Sequence, residues 1–427
     1  MCLYNYTLIF FRKFPKTKTF IYYLNLIVND TTKVVPNQKP EAITMDNNIK
    51  IDLKNAKNEY GSKNYEESLK IFEELYNENP EDFNKYDLIS YCWAIYQVHI
   101  KAYSDEDELF DAAELITSLI PQADLNYSNT CPYTFSVFSV LDYLNDNKQY
   151  YNMNYWLSKL NPDLLDDKNT RFKSRKEKFY DLSSKSSLEC AEWESCIEVS
   201  TKALNSLDNF SFNGDIWHMW RIAKSLKELN RNKEALEYLN EVVRIKKDWF
   251  VFKEIAENYC ILGENEKSLE YVCKAVLTDT PVNMKVNLHY LAFKLLEETN
   301  PEISYKHAEL HYLIKSETGA EISQDIEELM IDSEQLDKNQ LINEINQYWM
   351  EFRFKNKELQ HGTISNFIEN KNYGFILDEN DQSIFFHKSE FEGDNIYVGQ
   401  YVSFYTEKSY DKLKNKESVK AVYIRGE

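Results

Sequence analysis

The chain has 427 residues, 70 of them acidic and 50 Lys or Arg, with a net charge of −20 and a sequence pI near 5.0. That length asks for two or three domains, and that charge opposes nonspecific attraction to phosphates or anionic membranes. No apolar run approaches the roughly 18 residues of a membrane-spanning helix, and seven scattered cysteines without a CxxC pair argue against both a zinc site and a disulfide framework.

Residues 1–44 stand apart. They carry six basic against two acidic side chains, and their aromatics follow neither helical nor strand period. The expectation is a disordered extension or a start assigned too far upstream, because Met45 opens MDNNIKIDLKNAKNEY, where an amphipathic pattern begins at once.

Residues 45–316 show helical period with few glycines, and the pattern repeats. A constant shift of 33 residues places Ala223 over Ala256, Ala235 over Ser268, Leu239 over Val272 and Val242 over Ala275. Each copy has two apolar stripes around a short polar turn, with small residues where two helices must approach closely, which describes a helical hairpin. An earlier copy carries Ala56, Tyr65, Ser68, Phe72, Leu75 and Pro80. Weaker copies lie in residues 133–163, 191–204 and 287–313, and residues 86–121 fit only with an insertion around SDEDELFD. These small, aromatic and proline positions resemble the tetratricopeptide repeat, which implies a solenoid of stacked hairpins.

Residues 317–360 begin as an acidic connector. They end in one more amphipathic helix, where Leu341, Ile342, Ile345, Tyr348, Trp349 and Phe352 are placed either to close the solenoid or to pack on the last domain.

From residue 361 the period becomes two. Five short runs rich in β-branched and aromatic residues suit a small five-stranded barrel of the oligonucleotide-binding type. Gly362-Thr363-Ile364 with Phe367, then Lys371-Asn372-Tyr373-Gly374-Phe375-Ile376, Ile384-Phe385-Phe386-His387, Val398 to Phe404 and Ala421-Val422 together resemble the cold-shock domain across residues 361–427. Strand alternation sends Tyr373, Phe375, Phe385 and His387 to one outer face and Ile384 and Phe386 to the core. Four outward rings fit the stacked bases of a single strand, at about 1–3 kcal/mol per base. The candidate nucleic-acid-binding residues are therefore Lys371, Tyr373, Phe375, Phe385, His387, Phe367 and Lys388.

The resemblance has gaps. Where the family commonly carries Lys-Trp before its first-strand Phe, this chain has Ser365-Asn366, and Lys388 stands where an aromatic usually follows the His. The barrel has eight basic and eleven acidic residues, so affinity is expected to rest on stacking more than on phosphate contacts. Lys408, Lys412, Lys414, Lys416 and Lys420 form a local basic run. In the competing reading the barrel has lost its ligand, or its aromatic face packs on the solenoid.

Catalytic signals are weak. His307, Glu309 and His311 in HAELH place two imidazoles one turn apart, but the Glu does not follow the first His as a zincin requires, and no third ligand is evident. Asp105 to Glu108 and Glu327-Glu328 read as solvated helix faces, and nine glycines in the chain leave little room for a phosphate loop. No enzyme, cofactor or metal is expected.

Residues 1–44 carry +4 and residues 361–427 carry −3, which leaves −21 on residues 45–360. The sequence thus reads as a cytoplasmic, non-catalytic adaptor without a membrane segment. Its solenoid takes a protein partner, and its barrel takes single-stranded RNA ahead of DNA. The alternative is a pure protein-interaction scaffold.

Overall fold

The computed structural model describes residues 47–123, 131–166, 172–331, 337–393, 395–411 and 416–427, so the expectation for residues 1–44 lies outside it. The chain forms two compact units, one ending at Val98 and the other beginning at His99.

In the first unit, α1 (Asn47–Gly61) and α2 (Tyr65–Glu78) make a hairpin, followed by α3 (Lys85–Ile95). The Asn84 side chain accepts from the N–H groups of Tyr86 and Asp87, and Asp87 reaches back to the Asn84 N–H, which satisfies donors that the start of α3 leaves unpaired. Phe72 is fully buried, and Tyr76 meets Phe83 edge-on at 5.1 Å. Ser68 Oγ donates to the Ala56 carbonyl across 2.8 Å.

The second unit opens with α4 (Glu106–Leu119) and continues through α5 (Pro132–Asp146), α6 (Tyr150–Ser158), α7 (Arg175–Glu189), α8 (Trp193–Ser206), α9 (Gly214–Glu228), α10 (Asn232–Ile245), α11 (Trp249–Ile261) and α12 (Asn265–Val276). The acidic run predicted as a solvated face starts α4. Asp105 caps it by accepting from Glu108 N–H, and the following carboxylates sit in the first turn, where the helix dipole favours them. His99 and Ser104 hold the Glu108 carboxyl down at about 2.

Four of these hairpins turn in one way. Lys148, Ala191, Asn230 and Gly263 each adopt a left-handed backbone between paired helices, as Lys63 does between α1 and α2. The next residue then donates its N–H to the carbonyl five positions back, from Gln149, Glu192, Arg231 and Glu264 at 2.8 to 2.9 Å, the closure of a Schellman turn. Seven residues before the turn and five after it stand the positions where the helices touch. Ala223 with Ala235, Ala256 with Ser268, and Ser184 with Cys196 are all at most 1% exposed. Ser268 Oγ donates to Ala256 O at 2.8 Å and Cys196 Sγ to Ser184 O at 3.3 Å. The four pairs aligned at a 33-residue shift are all buried.

Two more paired helices, α13 (Val286–Leu296) and α14 (Pro301–Thr318), lead into α15 (Gln324–Met330) and α16 (Lys338–Phe354). Leu341, Ile345 and Trp349 of α16 share one core with Leu288, Leu310 and Ile314. Helix α16 therefore closes the apolar end of the helices.

The last element is a closed barrel of β1 (Gln360–Ile368), β2 (Tyr373–Asp378), β3 (Ser383–His387), β4 (Tyr401–Asp411) and β5 (Lys416–Gly426), in the order β1-β2-β3-β5-β4. β3 and β5 run parallel and the other pairs antiparallel. Ile364, Ile376, Ile384, Phe386, Val402, Phe404, Ala421 and Ile424 fill it. The expected architecture, helical hairpins followed by a five-stranded barrel, is what the chain adopts.

Candidate nucleic-acid interface

Between β1 and β2 the chain reverses through a single turn of 3-10 helix that ends on Asn372, in a left-handed conformation (φ 55) that asparagine tolerates well. The Asn372 carbonyl accepts from Lys388 N–H at 2.8 Å, which ties this turn to the end of β3. At Gly374 the strands approach so closely that a Cβ would stand 2.4 Å from the Asn366 carbonyl oxygen and 2.6 Å from the Phe386 ring.

The register puts Tyr373 opposite His387 and Phe375 opposite Phe385. Along β3, Ile384 and Phe386 are buried while Ser383, Phe385 and His387 are exposed, as alternation predicts. Tyr373, Phe375 and Phe385 form a triangle with ring centroids 5.6 to 6.0 Å apart. Phe385 keeps 36% of its surface open. His387 stands beside them, its Nδ1 accepting from Ser389 N–H at 3.3 Å, which leaves Nε2–H as its donor. Lys371 is exposed and Lys388 half-exposed at the same edge, and neither has a carboxylate in ion-pair range among the described residues.

Phe367 is set differently from the other rings. A register shift between Ile364 and Asn366 puts it opposite Gly374, and its ring lies parallel to that of buried Phe386 at 6.1 Å. It is half-exposed, as Tyr373 and Phe375 are, and packs against the barrel core. The basic run is only partly present as a charged edge. Lys408 is exposed, Lys420 is paired with Glu390 at 2.6 Å, only the backbone of Lys416 is described, and Lys412 and Lys414 lie outside the described residues.

The barrel meets the helices through a different set of aromatics, which the sequence had not singled out. Phe354, at the end of α16, stacks on Tyr405 at 4.2 Å and on Tyr423 at 5.5 Å. Arg353 grips Glu407 with two bonds, Nε at 3.0 Å and Nη2 at 2.9 Å, and Lys357 adds a third at 3.1 Å. Tyr405 and Glu407 project alternately outward from β4, so a signal was present in the strand period, but nothing in it named the partner. Helix α16 thus does both jobs that the sequence left open, and among the described residues the ring contacts of Tyr373, Phe375 and Phe385 are with one another and with no helix.

The histidines of HAELH diverge. His307 Nε2 accepts from the Trp349 indole at 2.8 Å and its Nδ1 meets His289 Nδ1 at 2.8 Å, whereas His311 Nδ1 donates to the Val286 carbonyl at 2.9 Å. Burial drives His307 down to about 3. Among the described residues no three His, Cys, Asp or Glu side chains are placed to hold a metal.

With this geometry in view, residues 360–422 match the family described as the 'Cold-shock' DNA-binding domain. The barrel is a cold-shock domain. Ahead of it, residues 216–351, from α9 into α16, match a domain of unknown function, DUF7017. No curated protein matches the chain. Similar solved structures are helical. Human IFIT1, as a dimer with PPP-AAAA, shares 16% identity over 72% of this chain and 69% of its own, with a TM-score of 0.34. Apo RapI shares 12% over 71% and 87%, with a TM-score of 0.38. A tetratricopeptide repeat protein from Parabacteroides merdae shares 12% over 67% and 98%, with a TM-score of 0.34. The repeated hairpins of the second unit, with their small-residue contacts and shared left-handed turn, resemble those of tetratricopeptide proteins. Among the described residues no helix is long and apolar enough to cross a membrane.

Proposed function

We propose that the protein is a non-catalytic, cytoplasmic adaptor. Its cold-shock domain binds single-stranded nucleic acid, RNA ahead of DNA, and its solenoid binds a protein partner. One observation carries the reading: the barrel docks on α16 through Tyr405, Tyr423 and Glu407, while on other strands Phe385 and His387 stay exposed and Tyr373 and Phe375 half-exposed beside them. Aromatic side chains are ordinarily buried, and a neutral ring face with lysines at its edge is what bases and phosphates of a single strand require. The solenoid supports the other half of the division. Its −21 charge repels phosphate, and it presents half-exposed Trp217, Trp220 and Phe250 with Lys224 and Lys246 over their rings at 4.8 to 5.6 Å.

The test is fluorescence anisotropy of labelled oligouridylate and oligothymidylate against the full chain and against a Tyr373→Ala, Phe385→Ala variant. Two stacked bases lost at about 1–3 kcal/mol each predict an affinity drop of about thirtyfold or more, with RNA bound more tightly than DNA by the intact chain. Unchanged affinity in the variant sinks the assignment, and no binding by the intact chain leaves the barrel as a protein-docking module.

A further inference from the structure

The outer surface of the barrel carries a second group of open apolar side chains, away from the rings considered so far. Tyr397 and Val398 are each 60% exposed and Tyr401 is 45% exposed, more than Phe385. The turn that holds the first two is tied to β1 by Gly399 N–H on the Ile364 carbonyl at 2.8 Å and by Ile364 N–H on the Gln400 carbonyl at 2.9 Å. Tyr401 lies opposite Thr363 of β1. Its ring is already ordered, because His361 stacks on it at 6.0 Å with planes 12° apart, and His361 is itself held by Glu427 at 3.2 Å.

β1 therefore separates two aromatic groups. On one side Asn366 faces Phe375 across the register, and on the other Thr363 faces Tyr401. The intervening Ser365 and Asn366 are exposed and polar and offer no ring. The cross-strand row from Phe385 through Phe375, Asn366 and Thr363 to Tyr401 is uncharged on a chain with 70 acidic residues, and Glu427, whose N–H donates to the Tyr401 carbonyl at 3.1 Å, has its carboxylate held by His361. An uncharged row of spaced rings on so acidic a molecule continues the chemistry of the first group.

We infer that Tyr401 and Tyr397 form a second stacking subsite for single-stranded nucleic acid, so that the strand crosses β1 and the bound segment is longer than the Tyr373–Phe385 face alone can hold. This rests on the nucleic-acid reading above. The rings of β4 and its preceding turn thereby take the place of the one that β1 lacks at Asn366. Ser365 and Asn366 supply hydrogen bonds to the bases between. Single barrels of this type occupy about 4–16 nucleotides, which leaves room for both groups.

The experiment uses the full chain with four-nucleotide and eight-nucleotide oligouridylates. The intact chain should bind the longer probe about tenfold more tightly or better. A Tyr397→Ala, Tyr401→Ala variant should lose that gain and keep its affinity for the shorter probe. Tyr401→Leu keeps apolar cover over β1, so it separates loss of a ring from loss of fold and should lose most of the same gain. An undiminished gain in both variants overturns the second subsite while leaving the first intact. A change of sedimentation in the variants with unchanged binding also overturns it and marks the patch as a contact between copies. If the intact chain binds neither probe, the reading of the Tyr373–Phe385 face itself has failed.

Discussion

The ring of Phe354, the last residue of α16, lies flat on that of Tyr405 in β4, with centroids 4.2 Å apart and planes within 3°. Phe354 is only 4% exposed, so this stack and the Arg353–Glu407 pair beside it couple the cold-shock domain to the helices. Because docking uses Tyr405 and Glu407 of β4 and Tyr423 of β5 while the first group of rings stands on β2 and β3, the two contacts are separable by mutation.

Phe354→Ala should cost about 3 kcal/mol of docking, the lower end for truncating a buried ring. Trypsin is expected to cut at Lys355 and Lys357 in the freed connector much faster than in the intact chain. Affinity for oligouridylate should stay within about twofold. A variant that loses affinity in proportion to its proteolysis would show that docking and binding are one surface.

Gly374→Ala tests the close approach behind the ring face. The added methyl meets a carbonyl oxygen at 2.4 Å and the Phe386 ring at 2.6 Å, and neither can retreat in a filled barrel. Overpacking of this kind costs about 1–3 kcal/mol. Thermal unfolding followed by tyrosine fluorescence should show the loss.

Ala191→Gly should stabilise the chain. Ala191 is exposed and holds φ at 59, a conformation that costs a residue with a Cβ about 1–2 kcal/mol. Glycine removes that strain and returns about 0.4–1 kcal/mol to the entropy of the unfolded chain, for a net gain of about 0.5–1 kcal/mol. Gly263→Ala, at the equivalent turn, should lose about as much. Urea midpoints of the two variants check both signs.

Acid should weaken the helices before it protonates most carboxylates. Burial lowers His218 to about 4, His307 to about 3 and His289 well below its ordinary value. The unfolded chain takes up these protons near pH 6.5 and the native chain does not. Stability from these groups is therefore complete above about pH 6.5 and declines as pH falls toward about 3, by about 2 kcal/mol each for His218 and His307 between pH 7 and pH 5, and His289 acts in the same direction. Urea titrations at those two values should show it. His307→Gln, which keeps an acceptor for the Trp349 indole, should flatten the slope.

Much of this was legible in the residues. The 33-residue shift placed Ala223, Ala256, Ala235 and Ser268 at helix contacts, since only small side chains allow two backbones to approach, and all four are buried. The shared turn was harder to see. Of its five left-handed positions only Gly263 and Asn230 are residues that favour the conformation, and Lys63, Lys148 and Ala191 give no such mark because the Schellman bonds impose it.

Strand alternation by itself determined that Phe385 and His387 point out and that Ile384 and Phe386 point in, because a pleated strand has only two faces. It did not place Phe367, since a register shift in β1 reverses the count and sets that ring on Phe386. Nor did it say which outward rings stay open. That was decided when α16 set Phe354 on Tyr405 and Tyr423 and left Tyr373, Phe375 and Phe385 uncovered. Local period fixes the direction of a side chain, while its covering depends on a partner more than forty residues away along the chain.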